Sequence, residues 1–291
     1  MSSILITGAN GFIGKKICEK FLQLNIDYIP ISSKNGDLCN IETLNKFDFT
    51  KISLVIHTAA KTYVPESWIN PEIFLKNNVN STVNILEKCK QYKIPLLFFS
   101  AFIYDSNNEL PLKENSKLKS FNPYALSKKI SEEICEFYSK EFDIPMTILR
   151  PFNIYGESQN NKFLIPSIIN QVIHKNQIIV ESLNTKRDYI HIDDLVSACI
   201  IATKNISKFK ILNVGSGVSY GIIDIINILE NYTENKIEII NKNINRKNEI
   251  FDIIADISYT KLLLNWEPKI KFEDGIINMF QELKKIKENG N

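Results

Sequence analysis

The chain lacks several things that would mark out whole classes of protein. No apolar run approaches the length needed to cross a bilayer, so a helical membrane protein is excluded. Lys and Arg number 35 against 33 Asp and Glu, a net charge of +2, so no bulk attraction draws it to nucleic acid or to an anionic membrane. The five cysteines (Cys18, Cys39, Cys89, Cys135, Cys199) are odd in number, scattered and without a C-x-x-C pair. That pattern argues against a disulfide framework and fits a reducing cytoplasm. His57, His174 and His191 are the only histidines, they lack ligand spacing, and no metal site is expected. His57 and His191 fall on expected strands and read as core residues. No internal repeat or low-complexity linker is visible. The opening MSSILITG runs straight into a short strand, so no signal peptide is expected.

What is present is an alternation. Short β-branched runs at 4–7, 28–31, 54–60, 95–100 and 146–151 are separated mostly by helical stretches, the long ones at about 74–92 and 124–142. Runs that are apolar on both faces predict a parallel sheet covered by helices on both sides, a Rossmann-type doubly wound α/β fold. After Pro151 the loops gain Asn, Gly and Ser and the strands shorten, which predicts a smaller mixed α/β domain. The expected division is 1–154 plus about 187–205 for the dinucleotide-binding domain, and about 155–186 plus 206–291 for the smaller one. Asp193 and Asp194 suggest a cap for a helix beginning at Leu195.

Between the first strand and its helix, Gly8, Gly11 and Gly14 have the spacing G-x-x-G-x-x-G. Gly8 suits a tight turn, Gly11 a close backbone approach to a pyrophosphate, and Gly14 close packing of helix on strand. The second strand ends in Ser32, Ser33 and Lys34, where an acidic residue would bind the ribose hydroxyls of NAD. Hydroxyls and an ammonium suit a 2′-phosphate instead, which favours NADP(H) and leaves NAD(H) open. Asp37 and Leu38 come too late for the ribose and are better placed to meet the adenine.

The stretch FNPYALSKK puts Tyr124 and Lys128 four residues apart, on one face of the expected helix. By itself the pair fits a half-buried tyrosine and a solvated lysine as well as an acid and its electrostatic tuner.

Taken in order, TGANGFIG, VIHTAA followed by VPES, NNVNSTVNILE, FFSAFIYD, PYALSK, LRPFNIYG, RDYIHIDDL, NVGSG and WEPKIKFEDGI resemble the extended short-chain dehydrogenase/reductase family, the nucleotide-sugar epimerase/dehydratase/reductase group. The resemblance covers almost the whole chain. It implies a catalytic group of Ser100, Tyr124 and Lys128. A neighbouring ammonium would lower the phenol from roughly 10 toward working pH. It implies cofactor contacts from Asn10, Phe12 and Ile13 beside the three glycines, and from Thr58, Ala59, Ala60, Asn78 and Pro151. On the substrate side it implies Asn153, Arg187 and Arg246 for the diphosphate of a nucleoside diphosphate sugar. Tyr63, Phe102 and Phe163 are candidates to line the sugar pocket. A homodimer through two long helices of each copy is also implied.

Departures narrow the chemistry. The 4,6-dehydratases carry Asp-Glu directly after the Ser/Thr, where this chain has Ala101 and Phe102. The GDP-fucose synthase branch uses a Cys and a His where this chain has Phe102 and Phe163. What remains is hydride chemistry at one carbon, C4. The expectation is an NADP(H)-dependent reductase of a nucleotide-linked 4-keto-6-deoxysugar. The alternatives are an NAD-dependent nucleotide-sugar 4-epimerase and a non-catalytic dinucleotide-binding sensor or scaffold.

Overall fold

The computed structural model describes residues 2–244 and 250–289. The first half builds a parallel sheet from β1 (Ser3–Thr7), β2 (Tyr28–Ile31), β3 (Ile52–His57), β4 (Leu96–Phe99) and β5 (Met146–Pro151), connected through α1 (Phe12–Gln23), the short α2 (Glu42–Asn45), α3 (Val64–Ile69), α4 (Pro71–Tyr92) and α5 (Pro123–Glu141). The second half contributes β6 (Asn153–Tyr155), α6 (Leu164–Lys175), β7 (Gln177–Val180), β8 (Lys186–His191), α7 (Ile192–Thr203), β9 (Lys210–Val214), β10 (Ser219–Gly221), α8 (Ile222–Thr233), β11 (Glu238–Asn241), α9 (Ser258–Leu264) and α10 (Phe272–Asn289).

Six strands form the large sheet in the order β2-β1-β3-β4-β5-β9, every pair parallel. Alternate side chains of each strand enter opposite cores. Ile6, Ile56, Leu97, Phe99 and Leu149 pack with Ile17 and Phe21 of α1 and Leu195 and Cys199 of α7. Leu5, Val55, Leu96, Phe98 and Ile148 pack with Ile85 and Cys89 of α4 and Cys135 of α5. The two-sided burial expected from the apolar runs is therefore present. Pro30, which cannot donate to a ladder, is tolerated because β2 is an edge strand.

The order reverses at β1, which has β2 on one side and β3 on the other. In open α/β sheets a ligand crevice forms outside the carboxyl ends of the strands at such a switch. The fold thus places the glycine turn after β1, the loop after β2 and the loop after β3 around one cleft.

A second cluster of buried apolar residues, including Tyr155, Ile169, Tyr189, Ile225 and Ile276, gathers α6, α8 and α10 around β7 and β8. Here β10-β8-β6 and β11-β7 form two small sheets. Three expectations need correction. Strand β9, within the 206–291 assigned to the smaller domain, is the sixth strand of the large sheet, because Ile148–Pro151 pair with Ile211–Val214. Of the stretch 187–205, α7 and Ile190 of β8 pack on the large sheet, whereas β8 takes its strand pairing from β6 and β10. And α7 begins at Ile192, not at Leu195. Its cap is the His191 side chain, which accepts from the Asp193 N–H, while Asp194 accepts from the N–H groups of Lys269 and Ile270 at 3.0 and 2.9 Å. The two adjacent carboxylates thus serve separate tertiary contacts, Asp193 with Lys16 and Asp194 with the 269–270 backbone. All five cysteines are free, and among the described residues no helix is long and apolar enough to cross a membrane.

Candidate active site

The glycine turn is built for close approach. Gly8 has φ +70°, and a Cβ there would meet the backbone of Ala59 and the Thr58 hydroxyl at 2.8 Å. A Cβ on Gly14 would sit 2.2 Å from the Gly8 carbonyl oxygen, so only glycine lets α1 pack this tightly on the turn. Gly11 donates its N–H to that carbonyl at 2.8 Å and caps α1. Asn10, Phe12 and Ile13 follow the same turn into the first residues of the helix, which is where free N–H groups and the helix dipole favour a phosphate.

A cleft of about 360 Å³ opens beside the turn. Gly8, Ser32, Ser33, Asp37, Leu38, Ala59, Ala60 and Asn78 line it, joined by residues the sequence did not single out: Ile31, Gly36, Cys39, Lys61, Asn77 and Ser81. Its crevice position and glycine-lined wall fit one end of a dinucleotide; Ser100, Tyr124 and Lys128 are not in its lining. Thr58 stands behind the wall, its hydroxyl donating to the Thr7 carbonyl at 2.6 Å. Lys34 is not in the lining. Its side chain is exposed and its N–H donates to the Ser32 hydroxyl within a turn closed by Asn35. The Asp37 carboxylate accepts from the Cys39 N–H at 2.9 Å.

Asn78, 2% exposed, connects this cleft to α5, the helix that carries Tyr124 and Lys128. Its side chain accepts from the Lys61 N–H and donates to the Lys61 carbonyl, at 2.8 and 3.0 Å, fixing the loop after β3. The same amide donates to the Ser127 hydroxyl on α5 at 2.9 Å.

Helix α5 starts where its sequence dictates. Asn122 caps it by accepting from the Ala125 N–H at 2.7 Å, and Pro123 occupies the first helical position. Tyr124 therefore stands in the first turn, half-buried, and Lys128 one turn on, 3% exposed. The Lys128 ammonium donates to the Phe99 carbonyl at 2.7 Å and lies 4.8 Å from the centre of the Phe98 ring. It is thereby tied to the end of β4, and the next residue is Ser100. The Ser100 hydroxyl is buried and has no hydrogen-bond partner, while its N–H is held by the Leu149 carbonyl at 2.8 Å. A fixed backbone presenting an unsatisfied buried hydroxyl is costly in a core and is what a substrate-binding position requires.

The electrostatics differ from the expectation. Burial pushes the Tyr124 phenol above its usual 10. Burial also lowers Lys128 to about 8, against the raising influence of Cys135 and Glu132. Desolvation outweighs the mutual help foreseen for the pair, and the lysine's hydrogen bond goes to a carbonyl, not to the phenol.

Tyr63 and Phe163 are not in the lining of that cleft; they meet each other edge to face, 6.1 Å between centroids. Phe102 is stacked between Phe121 and Phe152, at 6.2 and 5.8 Å, and so belongs to an aromatic layer of the core. Asn153 donates to the Asp188 carbonyl at 3.1 Å, and Arg187 donates to the Ile250 carbonyl at 2.7 Å. Pro151 is buried at the end of β5, and Arg246 lies outside the described residues. His57 is a core residue, bonded to the Thr7 and Thr82 hydroxyls, with burial holding its pKa down to about 3.

Among the described residues, Glu157, His191 and Asp193 form a group whose ligand atoms lie within 4.8 Å of one another. Nδ1 of His191 accepts from the Asp193 N–H, which leaves the proton of a neutral ring on Nε2, 3.2 Å from Glu157 Oε2. Lys16 pairs with Asp193 at 2.9 Å. Together with Lys16, the three side chains join α1, β8, α7 and the loop after β6.

Comparison with known proteins agrees with this fold. A family model described as the NAD dependent epimerase/dehydratase family matches residues 4–215. A putative UDP-glucose 4-epimerase of Methanocaldococcus jannaschii is 31% identical over 94% of this chain and 95% of its own. A GDP-6-deoxy-D-talose 4-dehydrogenase of Aggregatibacter actinomycetemcomitans is 29% identical over 90% of each chain. The structure of RMD from Pseudomonas aeruginosa, complexed with NADPH, superposes with a TM-score of 0.90 at 24% identity, covering 98% of this chain and 100% of the other. The chain belongs to the NAD-dependent epimerase/dehydratase family, within the extended short-chain dehydrogenases/reductases.

Proposed function

We propose that the protein is an NADPH-dependent reductase of a nucleotide-linked 4-keto-6-deoxysugar, acting at C4. The observation that carries this reading is the wall of the cleft after β2, where Ser32 and Ser33 stand and no carboxylate follows the strand directly. Asp37, the acid that also lines the cleft, is bonded to the Cys39 N–H. Two hydroxyls suit a 2′-phosphate, and a cofactor that exchanges as NADPH and NADP suits net reduction, not a cycle of oxidation and return.

When bound, NADPH supplies the hydride. The residues of the chain then have distinct tasks. The Ser100 hydroxyl, partnerless and buried, donates to the ketone oxygen as negative charge grows there. Tyr124, kept protonated by its burial, delivers the proton to that oxygen. Lys128, on α5 and tied to the end of β4 through the Phe99 carbonyl, would hold the nicotinamide ribose. Ala101 and Phe102 carry no group able to move a proton at C5 or C6, which supports hydride transfer without dehydration. Tyr63 and Phe163 are proposed to face the sugar, with Phe102 behind. Asn153, Arg187 and Arg246 are proposed to meet the diphosphate. Pairing of two copies through α4 and α5, where Leu126 and Phe137 are exposed, is proposed with this reading.

A 4-epimerase that retains NAD is the second reading, favoured by the 31% identical relative from Methanocaldococcus jannaschii. Purified protein offered a nucleotide-linked 4-keto-6-deoxysugar separates the two. Oxidation of NADPH, with NADH at least about tenfold poorer, supports the reductase. Tightly co-purifying NAD with no net cofactor oxidation would instead identify the epimerase.

A further inference from the structure

Tyr124, Lys128 and Glu132 follow one another at i, i+4 and i+8, and so share one face of α5. Glu132 is 5% exposed and is clamped by Arg150, itself 2% exposed, at the end of β5. Nε of Arg150 donates to the two carboxylate oxygens at 2.9 and 3.2 Å, and Nη2 donates at 2.6 Å. The remaining arm, Nη1, donates to the Tyr104 hydroxyl and to the Glu114 carbonyl, both at 2.9 Å. The Tyr104 hydroxyl in turn donates to Asn213 on β9 at 2.5 Å. The segment between Ser100 and Tyr124 is therefore pinned to β5, α5 and β9 through one guanidinium.

Two buried cations thus stand near one buried carboxylate: Arg150 grips Glu132 directly, and Lys128 lies one helical turn before it on the same face of α5. The titratable groups facing Lys128 are His57 on β3 and Cys135 and Glu132 on its own helix, with Arg150 on β5 behind Glu132. Burial keeps the His57 ring neutral and pushes the Cys135 thiol well up. Glu132 is thus the group that supplies Lys128 with negative charge. A surface carboxylate would be screened and mobile, whereas the three-point grip of Arg150 fixes this one at low dielectric, where its effect is large.

We propose that Glu132 is a positioning residue of the hydride-transfer site: held by Arg150, it keeps Lys128 in the ammonium form that anchors the cofactor's ribose and donates to the Phe99 carbonyl. This rests on the role given to Lys128 above. The network also explains why Arg150 is inside the protein at all, since an isolated buried guanidinium would be expensive.

The test follows Lys128 directly. The protein is labelled with ¹³C at the lysine ε-carbon, and the Lys128 signal, identified by its loss in Lys128→Met, is titrated by NMR. In wild type the midpoint is expected near 8. Glu132→Gln, nearly identical in shape, should lower it by roughly one unit or more. A merely structural role predicts the opposite sign, because a loosened and wetter helix would move Lys128 back toward 10.5. An unchanged or raised midpoint overturns the proposal. If Glu132→Gln does not fold by circular dichroism, Glu132→Asp, which withdraws the charge by one methylene, should give a smaller fall, and no fall overturns it. Where wild type turns over a ketosugar, the alkaline limb of its pH profile should move with the midpoint. Absence of wild-type turnover would sink the reductase reading alone, since the titration is read without catalysis.

Discussion

Replacing Lys128 by methionine should make the protein more stable and, on the proposed role, inactive. Lys128 is 3% exposed, and burial brings it from 10.5 to about 8. At roughly 1.4 kcal/mol per pH unit, carrying that charge in the folded state costs about 3 kcal/mol below pH 8. Methionine fills the space of the lysine stem without the charge, but leaves the Phe99 carbonyl without its 2.7 Å donor, which costs about 1 kcal/mol. The net gain at pH 7 is about 2 kcal/mol. The sign with pH follows from the direction of the shift. Below 8 both folded and unfolded chains hold the proton, and the penalty is complete. Between about 8 and 10.5 the folded chain has lost the proton and the unfolded chain has kept it, so wild type gains stability relative to the variant as pH rises. Urea denaturation of both proteins at pH 7 and pH 9.5 measures this. The advantage of the variant should shrink toward zero at the higher pH. A variant less stable than wild type at pH 7, or an advantage that ignores pH, would refute the reasoning that Lys128 is a charge held in place against its solvation.

Other outcomes follow from the same geometry. Tyr124→Phe should lower turnover at least about 10²-fold and leave NADPH affinity, read by fluorescence titration, within a few-fold of wild type. An equal loss of affinity would show that the phenol binds cofactor instead of moving a proton. Ser100→Ala removes a buried hydroxyl that has no partner. Its melting temperature should stay level or rise, while kcat falls roughly 10²–10³-fold. Ser33→Asp puts a carboxylate on the cleft wall after β2, and the ratio of NADPH to NADH affinity should fall by a factor of about 10–100.

The large sheet was legible because its strands are apolar on both faces and its turns are punctuated by glycine and proline. Strand β5 and the ends of α4 and α5 lie within a few residues of where the pattern puts them. Strand β9 was missed because an edge strand after a change of rhythm carries too little periodicity to show its partner, β5. Ser100, Tyr124 and Lys128, the residues proposed as catalytic, stand out in the sequence as types at a spacing, but their environment does not. Whether Lys128 meets a phenol or a carbonyl depends on where β4 ends, and that is set by packing. The helix cap of His191 and the reach of Asp194 to Lys269 and Ile270 are likewise tertiary, separated by 75 and 76 residues in the case of Asp194. The Glu132–Arg150 pair did leave a trace, since 124, 128 and 132 repeat at helical spacing and Arg150 directly precedes Pro151. Only the fold showed that the two side chains meet.

The most direct measurement follows a label. NADPH carrying deuterium at the transferable position of the nicotinamide is mixed with the protein and a nucleotide-linked 4-keto-6-deoxysugar, and the product is read by NMR and mass spectrometry. Net reduction predicts one deuterium at C4 of the sugar for each NADP formed. A sugar whose C4 configuration interconverts with no deuterium gained and no NADPH consumed would contradict it.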